Sequence, residues 1–359
     1  MKEYKIAIYP GDGIGIDVTA EVCRTLETLN ERFGYSIKLT EFDWGHKYWK
    51  KHGSVVPDDF LSELTAFDAI FLGAIGDPEN VPDHISLKPL IQMRQQFDQY
   101  ACVRPAKLLP GISTPLNNRS CSEIDIVIVR ENSEGEYVDA GGGFSTWSER
   151  GCAIQTAIHT RHGIERILRY GFELAGERKK HLTMATKSNA LKYGMLLWDE
   201  VFEIVRRDYP AIESDKCHVD ALAMNFVRKP DIYDVVVASN LFGDILSDLG
   251  GAISGSLGLA PSANINPERK FPSLFEPVHG SAPDIAGKGI ANPVAAIRSA
   301  AMMLDFLGEK CSAQILDEAV NQVLSSPDAP KTPDIGGNAT TSEMGDAIIA
   351  NILSNSELQ

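Results

Sequence analysis

Short runs of β-branched and aliphatic residues alternate with longer stretches in which apolar positions return at helical spacing, over most of the chain. KIAIYP (5–10) reads as a buried strand, and the stretch from Ile14 to Arg32 as a helix. YSIKLTEF then reads as a strand, a helix follows from about Pro57, and DAIFLGA (68–74) is a further strand. IDIVIVREN (124–132), HLTMAT (181–186), HVDALAM (218–224) and YDVVVAS (233–239) repeat the strand pattern. Apolar runs of this length separated by helical spacers predict an α/β protein with parallel strands in its sheet. No segment repeats at a fixed period.

One segment breaks the alternation. EYVDAGGGFSTWSERGCAIQTAIHT (136–160) has glycines, a turn and β-branched residues but no helical period. Between two α/β stretches it reads as a hairpin arm, which would need a partner to bury it. An irregular surface loop is the other reading.

Composition narrows the class. A length of 359 residues suggests about two domains. Hydrophobic residues at 43% and charged residues at 23% are globular proportions and exclude a mainly disordered or collagen-like chain. The formal net charge of −15 and a pI near 5.0 leave no broad basic face, so neither nucleic acid nor a membrane is expected as a partner. No stretch approaches the ~18 apolar residues of a membrane span, and MKEYKIAIYPG lacks the apolar core of a signal peptide. Cys23, Cys102, Cys121, Cys152, Cys217 and Cys311 are scattered without a CxxC. A chain of this length needs no disulfide staples, so free thiols and a cytoplasmic location are expected.

Five segments could carry chemistry. PGDGIG (10–15) lies between a strand and a helix, where glycines let a helix N-terminus approach a pyrophosphate. Its spacing is G-x-G-x-G, not G-x-G-x-x-G, which favours a structural turn over a Rossmann site. Arg94 and Arg104 in RQQFDQYACVRP, with Arg130 in VRENSEGEY, offer planar forks that match carboxylates. Together they could trap a dicarboxylate; singly, each reads as a surface ion-pair partner. In NLFGDILSDLG (240–250), Asp244 and Asp248 stand at i and i+4, on one helix face among Leu241, Ile245, Leu246 and Leu249. A divalent cation would relieve their repulsion, and carboxylate ligation suits Mg²⁺ or Mn²⁺ better than softer metals. Lys187 in TKSNALKYG is a candidate base at a strand end, or simply solvated. His279 in EPVHGSAPDIAGKGIANP could contact an adenine or be an ordinary loop histidine.

In order along the chain, PGDGIG, FDQYACVRP, VRENSEGEY, TKSNALKYG, NLFGDILSDLG, HGSAPDIAGKGIANP and GGNATT resemble the β-decarboxylating dehydrogenases. These comprise the isocitrate, isopropylmalate, and D-malate or tartrate enzymes. The resemblance implies an isopropylmalate dehydrogenase-like two-domain α/β fold that is not a Rossmann fold. Residues 1–101 and 257–359 would build a large cofactor-binding domain. Residues 102–256 would build a small domain that forms the homodimer interface and carries the arm.

Residue by residue, the resemblance assigns Arg94, Arg104 and Arg130 to the substrate carboxylates and Leu90 to the substrate wall. Tyr137 takes the place of the acid that protonates the enol carbon, and Lys187 that of the base at the C2 hydroxyl. Asp244 and Asp248 match metal ligands, with Asp220 as a third; Asp220 and Lys187 would cross from the partner subunit. Ile14, Glu276, His279, Gly280, Ala282, Asp284 and Asn292 fall on cofactor-contacting positions. A carboxylate at Asp284 can accept from both adenosine ribose hydroxyls but repels a 2′-phosphate. Members using NADP carry Lys-Tyr where this chain has Asp284-Ile285, so the implied cofactor is NAD. The implied ions are Mn²⁺ or Mg²⁺, with a monovalent cation such as K⁺ as an optional addition. The PDHISL portion of VPDHISLKPLIQMR (81–94), with RILRYGFELA (166–175), looks most like the D-malate and tartrate members. Lys88-Pro89 departs from the Trp-Gly of those relatives. Oxidative decarboxylation of D-malate or tartrate is therefore the implied activity, with 3-isopropylmalate second and a catalytically silent regulatory subunit a remote third.

Overall fold

The computed structural model describes residues 2–354. Its strands are β1 (Lys2–Gly11), β2 (Tyr35–Glu41), β3 (Ala69–Ala74), β4 (Ala101–Lys107), β5 (Asp125–Glu131), β6 (Gly141–Phe144), β7 (Cys152–Gln155), β8 (His181–Thr186), β9 (Glu213–His218), β10 (Val235–Ala238), β11 (Pro261–Ile265) and β12 (Ser273–Pro277). A ten-stranded sheet has the order β2-β1-β3-β12-β11-β4-β5-β10-β8-β9, and β6 pairs with β7 apart from it. Within the sheet, β2, β1, β3 and β12 are parallel neighbours, as are β5, β10, β8 and β9. β11 is antiparallel to both β12 and β4, and β4 is antiparallel to β5. Two parallel blocks thus run in opposite directions and meet through β11 and β4. This order differs from the 3-2-1-4-5-6 of a Rossmann sheet.

KIAIYP is apolar without alternation because both of its faces are covered. Ile6 and Ile8 pack in one core cluster with Val18, Val22 and Leu26 of helix Ile14–Arg32. Ala7 and Tyr9 face the other way, into a second cluster with Trp44, Phe60 and Met93. Each fully buried aliphatic or aromatic side chain contributes roughly 1.5–3 kcal/mol, so both layers hold β1 in place.

One expected strand is a helix. HVDALAM does not continue the strand pattern: Val219–Arg228 is helical, and the strand lies just before it, in β9. Ala, Leu and Met favour a helix, and Leu222 and Phe226 bury one face at i and i+4. β9 itself is an edge strand of sequence ESDKCH, whose exposed polar residues hide it from a search for apolar runs. β4, β11 and β12 escaped for a related reason, since Arg, Asn, Glu and Pro interrupt them.

The segment 136–160 contains an antiparallel hairpin, β6–β7, whose strand positions are all exposed. Phe144, Trp147 and Ile154 are 71%, 88% and 64% exposed. It projects as an arm with no apolar cover among the described residues.

The glycine-rich turn is a packing device. Gly13 has φ +57°, and a Cβ there would lie 2.0 Å from the Ser281 carbonyl oxygen. The Ile14 N–H donates to that same oxygen at 2.9 Å. The turn therefore docks helix Ile14–Arg32 onto the 281 loop. Gly13→Ala should cost about 1–3 kcal/mol through the disallowed φ and the clash, read as a lower urea midpoint with an unchanged slope. An unshifted midpoint would mean that the 281 loop yields freely.

Candidate active site

Where the opposed blocks meet, strand alternation sends neighbouring residues to opposite faces. Val103 of β4 goes to the core, whereas Arg104 points into a cavity of about 180 Å³. Arg130 enters from the end of β5, Glu276 from β12, and Arg94 from the last turn of helix Lys88–Gln96. Asp244 arrives from the first turns of helix Asn240–Ile253, just after β10. Tyr137 closes the cavity from the start of segment 136–160, ahead of β6, and Leu87 and Leu90 form an apolar wall.

Arg94, Arg104 and Arg130 are only 6%, 6% and 1% exposed, so each guanidinium must be paired or hydrogen-bonded. Arg94 Nη2 lies 3.1 Å from Glu276 Oε1, which also accepts from Asn264 Nδ2 at 2.8 Å. Arg104 Nη1 donates to Asp244 Oδ1 at 3.0 Å and to Ser247 Oγ at 2.8 Å. Arg130 Nη1 donates to the same Asp244 oxygen, and its Nε and Nη2 donate to Asn240 Oδ1 at 2.9 and 2.6 Å. Three cations thus share two lining carboxylates, Glu276 and Asp244, while Asp248, one turn farther along the helix, also acts on Arg104.

This crowding shifts the ionisations. Burial and the charges of Arg104 and Arg94 push Arg130 down to about 10. Burial alone would raise Asp244, but Arg130 and Arg104 outweigh it and hold the carboxyl below its ordinary value. Tyr137 donates to Asp244 Oδ2 at 2.8 Å, with the Arg130 guanidinium 5.1 Å from its ring centre. Burial, then the Asp244 charge, raise the phenol, so it keeps its proton near neutrality.

The other expected residues fall around this centre. Asp248, one helical turn beyond Asp244, reaches solvent; its carboxyl is raised first by desolvation and then by Asp244, against the pull of Arg104. Lys187 and Asp220 are not brought to the cavity of their own chain. They pair with each other, Nζ to Oδ1, at 2.6 Å. Among the described residues no three His, Cys, Asp or Glu side chains converge as a metal site. His279 and Gly280 line the cavity; His279 Nδ1 lies 2.9 Å from the Gly280 carbonyl oxygen, while Nε2 is buried without a partner. Ile14 is buried in the turn, Ala282 adopts φ +40°, and Asp284 is exposed. Asn292 is held between the Val294 N–H and Asp334 Oδ2, each at 3.0 Å.

Asn240 accepts from Arg130, Ser247 and Ser262 accept from Arg104, the latter at 3.4 Å from Nε, and Asn264 donates to Glu276; none of the four is anticipated from the sequence. Asn240 had a legible signal, since it stands one turn before Asp244 on the same helix. Ser262 and Asn264 had none, because β11 could not be seen as a strand.

Fold and cavity together describe an α/β protein whose cleft is lined by three buried guanidiniums. The chain belongs to the isocitrate/isopropylmalate dehydrogenase family, whose model matches residues 5–348. It is similar to a solved isocitrate dehydrogenase from Methylococcus capsulatus, with 36% identity, a TM-score of 0.87, and coverage of 97% of this chain and 99% of that one. It is 51% identical to D-malate dehydrogenase [decarboxylating] of Escherichia coli (strain K12), covering 98% of this chain and 99% of the relative. It is 48% identical to tartrate dehydrogenase/decarboxylase of Pseudomonas putida, covering 96% of each.

Asp244→Asn should destabilise the metal-free protein by about 1–3 kcal/mol, less than a fully buried pair because Asp244 is partly exposed. Urea unfolding in the presence of a chelator reads this directly. Equal stability of variant and parent would show that Asn240, Ser247 and Ser262 satisfy the guanidiniums without the carboxylate.

Proposed function

We propose that this chain catalyses the oxidative decarboxylation of a small 2-hydroxy dicarboxylate, with D-malate and tartrate as the leading substrates, NAD as oxidant and Mn²⁺ or Mg²⁺ as the divalent ion. The observation that carries this reading is the trio of buried guanidiniums, Arg94, Arg104 and Arg130, lining one cavity beside Tyr137 and Asp244. The names of the relatives at 51% and 48% identity support the substrate class. The cavity of about 180 Å³ suits a compact diacid, whereas the Leu87–Leu90 wall leaves 3-isopropylmalate as the second reading.

The residues fit the groups such a reaction needs. Asp244 and Asp248 offer the hard oxygen donors that Mg²⁺ or Mn²⁺ takes, and His279 Nε2 is a buried ring nitrogen without a partner beside the cavity. The exposed Asp284 carboxylate favours NAD over NADP by charge. When bound, the divalent ion supplies positive charge at the 2-oxygen, and NAD supplies the hydride acceptor. Arg94, Arg104 and Arg130 hold the substrate carboxylates, and Lys187 takes the C2 hydroxyl proton as hydride leaves carbon. Loss of CO₂ then leaves an enol, and Tyr137 delivers a proton to its carbon. For D-malate the sum is D-malate plus NAD⁺ giving pyruvate, CO₂ and NADH.

Lys187 and Asp220 lie outside their own chain's cavity, so a second copy would supply them. The exposed apolar residues favour this: Phe144 and Trp147 on the arm, and Met224, Val227 and Ile245 on the helices carrying Asp220 and Asp244. In the proposed homodimer, residues 102–256 form the small interface domain, and 1–101 with 257–359 the large cofactor domain. A cytoplasmic location is part of the same reading; no helix of the described residues is long and apolar enough to cross a membrane.

Mixing protein, NAD, Mn²⁺ and D-malate should generate NADH absorbance, with tartrate also accepted, NADP a poor substitute, and activity lost to a chelator. The same assay with and without K⁺ tests the monovalent ion. Absence of NADH with D-malate, tartrate and 3-isopropylmalate alike would sink the proposal.

Subunit exchange tests the composite site. Asp244→Asn and Asp220→Asn should each be inactive alone, since each leaves the divalent ion under-ligated. In a heterodimer one site collects both defects and the other neither, so random pairing restores at most roughly a quarter of parental sites. If mass-labelled heterodimers form and activity stays at background, the two aspartates do not meet across the interface.

A further inference from the structure

Lys187 does not project from a free loop. It follows Thr186, the last residue of β8, and its carbonyl accepts from the Ala190 N–H at 3.0 Å and the Leu191 N–H at 2.9 Å. The hydroxyls on either side of it converge on one carboxylate of the neighbouring helix Gly194–Val205. Thr186 Oγ1 donates to Asp199 Oδ1 at 2.7 Å, and Ser188 Oγ donates to Asp199 Oδ2 at 2.9 Å. Lys216 of β9 lies 3.2 Å from Asp199 Oδ2. The Asp199 side chain is 16% exposed, so little water competes for its oxygens.

We infer that Asp199 is a positioning residue for Lys187, acting through the Thr186 and Ser188 hydroxyls that flank it. This rests on Lys187 being the base of the proposed reaction. A long side chain has many rotamers, and its Nζ keeps a defined position only if the backbone beneath it does. Two hydroxyls bound to one carboxylate fix the backbone on both sides of Lys187, as a single contact would not. Lys216 lies between Asp199 and Glu203, 3.6 Å from Glu203 Oε1, and so offsets part of the Asp199 charge beside the base.

The test uses the full-length enzyme with D-malate, NAD and Mn²⁺. Asp199→Ala should lower kcat for D-malate oxidation by about 10- to 100-fold, the range for a misplaced reacting group, with KM for NAD changed less than about twofold. Decarboxylation of oxaloacetate, which bypasses hydride transfer, should fall far less. Asp199→Asn, which keeps one acceptor oxygen, should recover part of the loss. Should Asp199→Ala fold poorly, Thr186→Val and Ser188→Ala each remove one arm of the clamp and should act in the same direction.

The decisive arm uses Lys187→Ala supplied with methylamine as a free base. Adding Asp199→Ala there should leave the amine-dependent rate unchanged, because a diffusing base needs no clamp. An equal loss in both backgrounds would make Asp199 merely structural and overturn the inference. So would an undiminished kcat in all three clamp variants. If Lys187→Ala itself oxidises D-malate at the parental rate, the base assignment fails, and the inference with it.

Discussion

Asp244 lies between two buried guanidiniums, and much of the molecule is arranged so that it can. Arg104 comes from the middle of the sheet and Arg130 from the end of the adjacent antiparallel strand, so their heads converge only because β4 and β5 pair in one register. Neither cation would be tolerated there without a carboxylate in reach. The helix that supplies it starts directly after β10, which is itself parallel to β5. Sheet order, strand direction and helix start are thus tied to a single charge balance. Gly243 makes the approach close: a Cβ there would lie 2.6 Å from the Arg130 Cβ.

The same balance has a chemical consequence. A carboxylate already held by two arginines carries little free negative charge, whereas the third arginine pairs with Glu276, which also accepts from Asn264. In the reaction proposed above, a substrate carboxylate would meet Arg104 and Arg130 already engaged by Asp244, whose second oxygen accepts from Tyr137.

On the proposed reading the centre is completed by a second copy. Asp248 reaches solvent, and Phe144, Trp147 and Ile154 on the arm and Met224, Val227 and Ile245 on the helices that carry Asp220 and Asp244 are exposed apolar residues. An apolar surface left beside unfinished chemistry is economical if a second copy covers one and completes the other. Folding, association and activity would then depend on a common surface.

Much of this was legible from residues alone. β1, β3, β5, β8 and β10 are buried on both faces, and continuous apolar runs reported them wherever no polar group had to enter the sheet. Asp244 and Asp248 could be named because paired carboxylates are unusual in an apolar helical context, and Arg94, Arg104 and Arg130 because their planar forks match carboxylates. The residues that failed to signal themselves lie in β4, β11 and β12, where charged and polar residues are buried to face the cavity. There the local pattern is that of a loop, and only long-range pairing makes it a strand. HVDALAM was misread for the converse reason, because a short apolar run is shared by helix and strand until its neighbours are known. The class of fold and the chemical inventory follow from the residues and their order alone. Tertiary structure decided which charges meet: Arg130 and Asp244 are far apart along the chain, and their pairing depends on strand register and burial that no local pattern encodes.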